Sequence, residues 1–242
     1  MYNRFASITL LFQCTLFISF LSPCLFLPMT DRLISFTLAY QYQDDEHFKL
    51  LLDAGVDINA TQKEDQNVTT YAVTNGHIEK AKTFLRQGGV IIPSDELLST
   101  TVSISEAPLE SIQLIFDSKV PCSPQCFGLG FYQCLRARQP CIDVAQLIVQ
   151  GAQQYGIELA NVPVNMVGSY VSVLCRFDCD KVQQVLGHQD DSRSVVLTPL
   201  EMAMIRQDDD FIRILAPSAD DETKAKAMSL ADRIGYNCNV AL

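Results

Sequence analysis

The chain has 242 residues, with 18 Lys and Arg against 28 Asp and Glu, and so a formal net charge of −10. A field of that sign repels phosphate backbones and argues against nucleic-acid binding. With 48% apolar and 19% charged residues, and Gly and Pro at 11 and 10, the chain is neither disordered nor collagen-like.

Residues Phe5 to Thr30 carry no charge: 26 positions, 17 of them apolar, between Arg4 and Asp31. The run 5–28 is long enough to span hydrocarbon, and Arg4 followed by Ser7 to Leu21 also suits a secretory signal. The cleavage end is poor, because Ser22-Pro23-Cys24-Leu25 has no pair of small residues in A-x-A spacing. A start at Met29 would remove the run altogether. Residues 1–30 are therefore set apart as leader, anchor or over-extended start, followed by a domain over 31–220 and a final helix over 221–242.

After the run, the segments K-L-L-L-D-A-G-V-D-I-N-A (Lys49–Ala60) and K-T-F-L-R-Q-G-G-V (Lys82–Val90) place Gly55 and Gly88 33 residues apart. Asn67 to Lys80 precedes the second with T-Y-A-V-T-N-G-H-I, and Thr198 to Ala216 reads T-P-L-E-M-A followed by a second apolar stretch ending in leucine. Between them, Ser111–Phe116 and Val144–Val149 carry apolar residues at i, i+3 and i+4, as helices buried on one side require. Each such helix is too short to be stable alone.

These segments resemble the ankyrin repeat, with its T-P-L-H-x-A helix, G-H turn, second helix ending in leucines and G-A-D-x-N. Carried through the chain, the register gives units over Thr100–Lys119, Phe131–Ala152 and Val167–Gln189, with steps of 33, 31, 33, 37 and 30 residues. The resemblance implies an all-α, ankyrin-like solenoid of about six helix-turn-helix repeats over roughly 33–220. A C-terminal helix, Glu222 to Ile234, would close the open end, as repeat arrays need. The first-helix core would be Tyr71, Ala72, Ile104, Leu135, Leu174, Met202 and Ala203. The second-helix core would be Leu50, Leu51, Phe84, Leu85, Ile115, Ile148, Val185, Ile214 and Leu215.

Chemistry-bearing residues are sparse. Among nine cysteines, Cys122/Cys126 and Cys175/Cys179 form two C-x-x-x-C pairs that together could hold zinc, but a solenoid would keep the two units apart. The odd total, and Cys134 and Cys141 on repeat helices, argue for a reduced compartment. His77 reads as a turn histidine; His47 and His188 join no recognisable motif. Gly128-Leu129-Gly130 lacks the third glycine of a dinucleotide fingerprint, and G-K-[ST], H-E-x-x-H and G-x-S-x-G are absent. No catalytic, cofactor-binding or metal-binding residue is therefore assigned, and no cofactor or small-molecule substrate is expected. Asp44, Asp45, Glu46, Glu79, Glu106, Glu110, Asp143, Asp178, Asp180, Asp208, Asp209 and Asp210 fall at the starts of second helices, where carboxylates cap.

The resemblance implies a non-enzymatic adaptor that holds a partner protein on the concave face and the finger loops. The fingers would span about Asp57–Gln66, Gly89–Asp95, Val120–Gly128, Gln153–Pro163 and Gln189–Leu197, with Lys63, Glu64, Tyr155, Asp190 and Arg193 as contacts. Two alternatives stay open. One is a secreted bacterial effector or membrane-tethered adaptor built on the same stack. The other is a cysteine-rich metal-binding or enzymatic module within residues 120–180. Localisation divides in the same way: cytoplasmic, exported into a host cell, or anchored or secreted through residues 5–28.

Overall fold

The structure is a computed structural model that describes residues 53, 55–61, 66–137, 141–167, 174, 179–187 and 194–242. The chain divides into two compact units, Met1–Thr69 and Thr70–Leu242. In the first, Gly55 adopts a left-handed φ of 78°. Asp57 then closes a short turn, its Oδ1 accepting from the Asn59 N–H at 2.9 Å, as Asx side chains do by mimicking backbone.

The second unit is mostly helical. Ten helices fall among the described residues: α1 (Val68–Thr74, running across the unit division), α2 (Ile78–Arg86), α3 (Leu97–Ile104), α4 (Pro108–Asp117), α5 (Pro124–Arg136), α6 (Ile142–Gln154), α7 (Cys179–Leu186), α8 (Pro199–Arg206), α9 (Asp209–Leu215) and α10 (Asp221–Ile234). They pack in two rows. In one row α3 meets α5 and α5 meets α8; in the other α2 meets α4, α4 meets α6 and α6 meets α9. α10 lies on α8 and also touches α7. One element is not helical: β1 (Val164–Val167) pairs antiparallel with β2 (Ser194–Leu197), Val164 opposite Leu197 and Val167 opposite Ser194.

Turn chemistry sets the boundaries. Whereas α9 ends at Ala216 with φ −50°, four second helices end near a left-handed residue: Gly88 at φ 90°, Lys119 at 53°, Gly156 at 71° and Gly187 at 73°. Such residues close helix ends cheaply when they are glycine. The expected endpoints at Gly88 and Lys119 hold, whereas the fourth moves from Ala152 to Gly156 and the fifth from Gln189 to Gly187. α6 runs on to Gln154, with Gly151 inside it against the Phe116 ring.

Three sequence expectations need correction. Ile104 is 50% exposed, since α3 starts at Leu97 and turns Leu97, Leu98 and Thr101 inward instead. The third finger is short: Ser123 N-caps α5 by accepting from the Cys126 N–H at 3.0 Å, and Pro124 occupies the first turn. The segment expected as a fifth unit does not separate its neighbours. α5 and α6 pack directly on α8 and α9, α7 packs against α10, and the β1–β2 ribbon brackets the intervening residues.

The core follows the rows. Leu98, Ile112, Ile115, Phe127, Phe131, Ile148, Leu200, Met202, Phe211 and Leu215 are fully buried. Of the expected core, Ala72, Phe84, Ile115, Leu135, Ile148, Leu174, Met202, Ala203 and Leu215 are buried. Tyr71, Leu85, Val185 and Ile214 are half-buried, and Leu50 and Leu51 lie outside the described residues. Phe131 meets Phe211 edge-on at 5.6 Å, an aromatic arrangement favoured by ring quadrupoles.

α8 begins with a complete capping box. The Thr198 hydroxyl accepts from the Glu201 N–H at 3.3 Å, and the Glu201 carboxylate accepts from the Thr198 N–H at 2.8 Å. α10 is capped by Asp220, whose Oδ1 accepts from the Thr223 N–H at 2.7 Å. The second helices differ. Glu79, Glu110, Asp143, Asp209 and Asp210 occupy first turns, yet the N-cap residues His77, Ala107, Cys141 and Asp208 form no side-chain cap bond. Those carboxylates act on the helix dipole rather than as caps.

Two substitutions test this packing. A Cβ on Gly130 would lie 2.8 Å from the Leu98 Cβ, so Gly130→Ala should lower stability by roughly 1–3 kcal/mol. Gln207 ends α8 at φ 57°, so Gln207→Gly should raise stability by about 0.5–1 kcal/mol. Urea midpoints at unchanged m-value measure both. The Asp220 carboxyl is held below its ordinary 3.8 by the hydrogen bonds from Thr223. Its stabilisation is therefore present above 3.8 and lost as pH falls through the lower folded value. The Tm gap between wild type and Asp220→Ala should close over that acid range.

Candidate functional site

The loops between helix pairs gather along one edge of the second unit and are tied to one another. The Ile92 N–H donates to the Thr70 hydroxyl at 2.8 Å. In the next step, the Ser123 hydroxyl donates to the Asp95 carboxylate. The Tyr155 hydroxyl then donates to the Val120 carbonyl at 2.7 Å. Gln125 binds both backbone groups of Asn165 in β1, Nε2 donating at 3.2 Å and Oε1 accepting at 3.4 Å. Finally, the Asp220 N–H donates to Asn161 Oδ1 at 3.0 Å. The loops are thus tied through side chains of neighbouring elements.

Beneath this edge is an aromatic cluster. Phe116 stacks on Phe127 with centroids 5.8 Å apart, and Tyr155 meets Phe127 edge-on at 5.5 Å. Burial raises the Tyr155 pKa above its usual value. Exposed along the edge are Val90, Pro93, Asp95, Glu96, Pro121, Glu158 and Pro163. The surface combines apolar and rigid residues with three carboxylates.

Of the five contacts expected from the sequence, only Tyr155 is described. It lies on this edge, with its hydroxyl engaged inside the fold. Lys63, Glu64, Asp190 and Arg193 lie outside the described residues, as do His47, His188, Asp44, Asp45, Glu46 and Asp178. The lacing residues Thr70, Asp95, Ser123, Gln125 and Asn161 were not singled out in the sequence. Ser123-Pro124 was the one legible signal among them, as an N-cap followed by N1 proline.

The cysteines separate by environment. Cys122 immediately precedes the N-cap of α5 and is 8% exposed, whereas Cys126 in its first turn is fully buried. Each thiol is the main influence on the other's acidity. This holds Cys122 below the usual thiol range and Cys126 well above it, burial adding to the latter. Cys134 is fully buried in α5 and burial raises its pKa. Cys141 precedes α6 and is raised by burial as well. Cys175, partner to Cys179 in the second pair, lies outside the described residues. No group of three or more His, Cys, Asp or Glu that could hold a metal occurs among the described residues.

His77 sits in the turn between α1 and α2, as expected. Its N–H donates to the Ala72 carbonyl at 2.9 Å and its own carbonyl accepts from the Ala81 N–H at 3.0 Å. Gly128 and Gly130 lie within α5 and serve packing: a Cβ on Gly128 would lie 2.2 Å from Val164 Cγ2. A groove of about 550 Å³ runs between α6 and α9, lined by Ile142, Gln146, Val149, Gln153, Arg213 and Ile214 among others. Its charged residues Arg213 and Asp210 pair with each other at 2.7 Å.

No helix among the described residues is long and apolar enough to cross a membrane. Compared with known proteins, the chain matches no protein-family model and no curated relative.

The Tyr155 hydroxyl gives a direct test of the lacing. Tyr155→Phe keeps the ring and removes the bond to Val120, which should cost about 0.5–1.5 kcal/mol in urea denaturation. An unchanged midpoint would show that the tie carries no stability.

Proposed function

We propose that this chain is a non-enzymatic protein-interaction module, an adaptor or scaffold built as a divergent ankyrin-like stack. The observation that carries the reading is the laced edge. Five contacts among loops, helices and β1 hold an exposed strip of backbone and side chains in one arrangement before any partner arrives. Pre-organisation of that kind lowers the entropy lost on binding. Further support comes from the two rows of short helices, the left-handed closures at Gly88 and Lys119, and the Thr198-Pro199-Leu200-Glu201 start of α8 in the place of the family's T-P-L-H.

The partner suited to this edge is a protein segment that presents apolar side chains together with Lys or Arg, opposite Val90, Pro93, Glu96, Pro121 and Glu158. Carboxylates at the rim would speed and orient the encounter more than they would deepen it.

The test is affinity capture with the full chain, followed by a Kd measured on the partner recovered. The triple variant Val90→Ser, Glu96→Lys, Glu158→Lys should keep the wild-type melting curve and weaken that Kd at least tenfold, about 1.4 kcal/mol. Capture of no protein, or an undiminished Kd in the folded variant, would overturn the reading.

A further inference from the structure

The β1–β2 ribbon has two outer edges, and the fold treats them differently. On the β1 side, Gln125 holds Asn165 by both main-chain groups: Nε2 donates to the carbonyl at 3.2 Å and Oε1 accepts from the N–H at 3.4 Å. The main-chain groups of Asn165 therefore point away from β2. In an antiparallel ladder two opposite residues either bond to each other or both turn outward. Val196, opposite Asn165, and Ser194, opposite Val167, thus turn their N–H and C=O groups away from β1. Among the described residues no third strand joins the sheet, and no hydrogen bond reaches these groups of Ser194 and Val196.

The β2 edge also lacks the usual guards. Natural edge strands are protected by charge, proline or a bulge. The run from Ser194 to Leu200 carries no charge, and its one proline, Pro199, lies beyond the strand. Val196 projects from the ribbon and is 56% exposed. Thr198 does not extend the free edge. Its N–H donates to the Glu201 carboxylate at 2.8 Å, and its carbonyl accepts from the Met202 N–H at 3.0 Å.

The remaining pattern is complementary to itself. A two-fold axis through Val195 sets Ser194 opposite the partner's Val196, and Val196 opposite the partner's Ser194. Each such pair exchanges two hydrogen bonds, so the two pairs use every outward group of both residues. An axis through Val196 would instead oppose Ser194 to the partner's Thr198, whose groups are already engaged. Charge favours the same place. Each copy carries a net charge of −10, and like-charge repulsion is least where a strip without carboxylates meets its own image.

We propose that two copies of this chain associate edge to edge through β2. The product is a closed two-fold dimer with a four-stranded antiparallel sheet in the order β1-β2-β2-β1. A contact of this extent is small, so the association is weak and reversible. It does not depend on the partner-binding reading.

The test is sedimentation velocity of the purified full chain in reducing buffer, at concentrations raised to about 1 mM. The monomer should pass to a dimer, with no larger species. Val196→Pro removes an outward N–H and leaves the β1–β2 bonds in place, as proline at a strand edge does. It should raise the dimer dissociation constant by about tenfold or more at an unchanged melting temperature. Hydrogen exchange of the wild type gives a second measurement. Peptides covering 194–197 should exchange more slowly as the dimer forms, while those covering 164–167 stay unchanged. A wild type that remains monomeric throughout would overturn the proposal, as would assembly into larger species. So would a dimer that a folded Val196→Pro variant forms equally well, or one that leaves exchange at 194–197 unaltered. The exchange measurement decides the point even if the variant fails to fold.

Discussion

Helix α5 reaches four neighbours at once, and the absence of two side chains makes this geometrically feasible. Gly130 lets Leu98 of α3 approach the α5 backbone on one side, and Gly128 admits Val164 of β1 on another. Close-packed interiors tolerate no such approach where a Cβ intervenes. α6 repeats the device at Gly151, which receives the Phe116 ring of α4. Glycine weakens a helix interior by roughly 0.5–1 kcal/mol relative to alanine. Here that cost is offset by burial of Leu98, Val164 and Phe116 against backbone.

From this packing follows the order of the loops. Since α3, α5 and α8 form one row and α2, α4, α6 and α9 the other, the connections between pairs emerge along one edge in sequence. Their mutual hydrogen bonds then use local neighbours: Thr70 with Ile92, Asp95 with Ser123, Val120 with Tyr155. Part of the acidic charge sits in first turns, as at Asp209 and Asp210, where dipole attraction and the Arg213–Asp210 pair accommodate it.

Much of the helical layout was legible because period and turn chemistry agreed. Gly88 and the apolar pairs at Phe84, Ile115 and Ile148 predicted second helices in the right places, and α10 begins one residue earlier than expected, at Asp221. The losses have physical causes. Ile104 was misread because an apolar residue at the end of a short helix fits the periodicity without facing inward. The start of α5 was missed because Cys, Gly and Gln dilute the apolar pattern between Pro124 and Phe131, although Ser123-Pro124 marked it. Tyr155 was read as a surface contact from its loop position, and nothing local in sequence announces a bond to Val120, 35 residues away. Cys122 and Cys126 were read as half of a metal set; only the fold shows that one precedes the N-cap of α5 and the other is buried in its first turn.

The β1–β2 ribbon has a consequence for how such a chain can change over time. Val167 and Ser194 are paired across the ribbon, so the chain leaves the helical rows and returns to them at one point. Whatever length separates those two residues, the register of α5 and α6 against α8 and α9 is set by the ribbon. Lengthening the excursion costs closure entropy only logarithmically, about 0.6 kcal/mol per doubling. Changes of length outside Leu174 and α7, which are held by burial and by α10, are thereby decoupled from the spacing of the rows on either side.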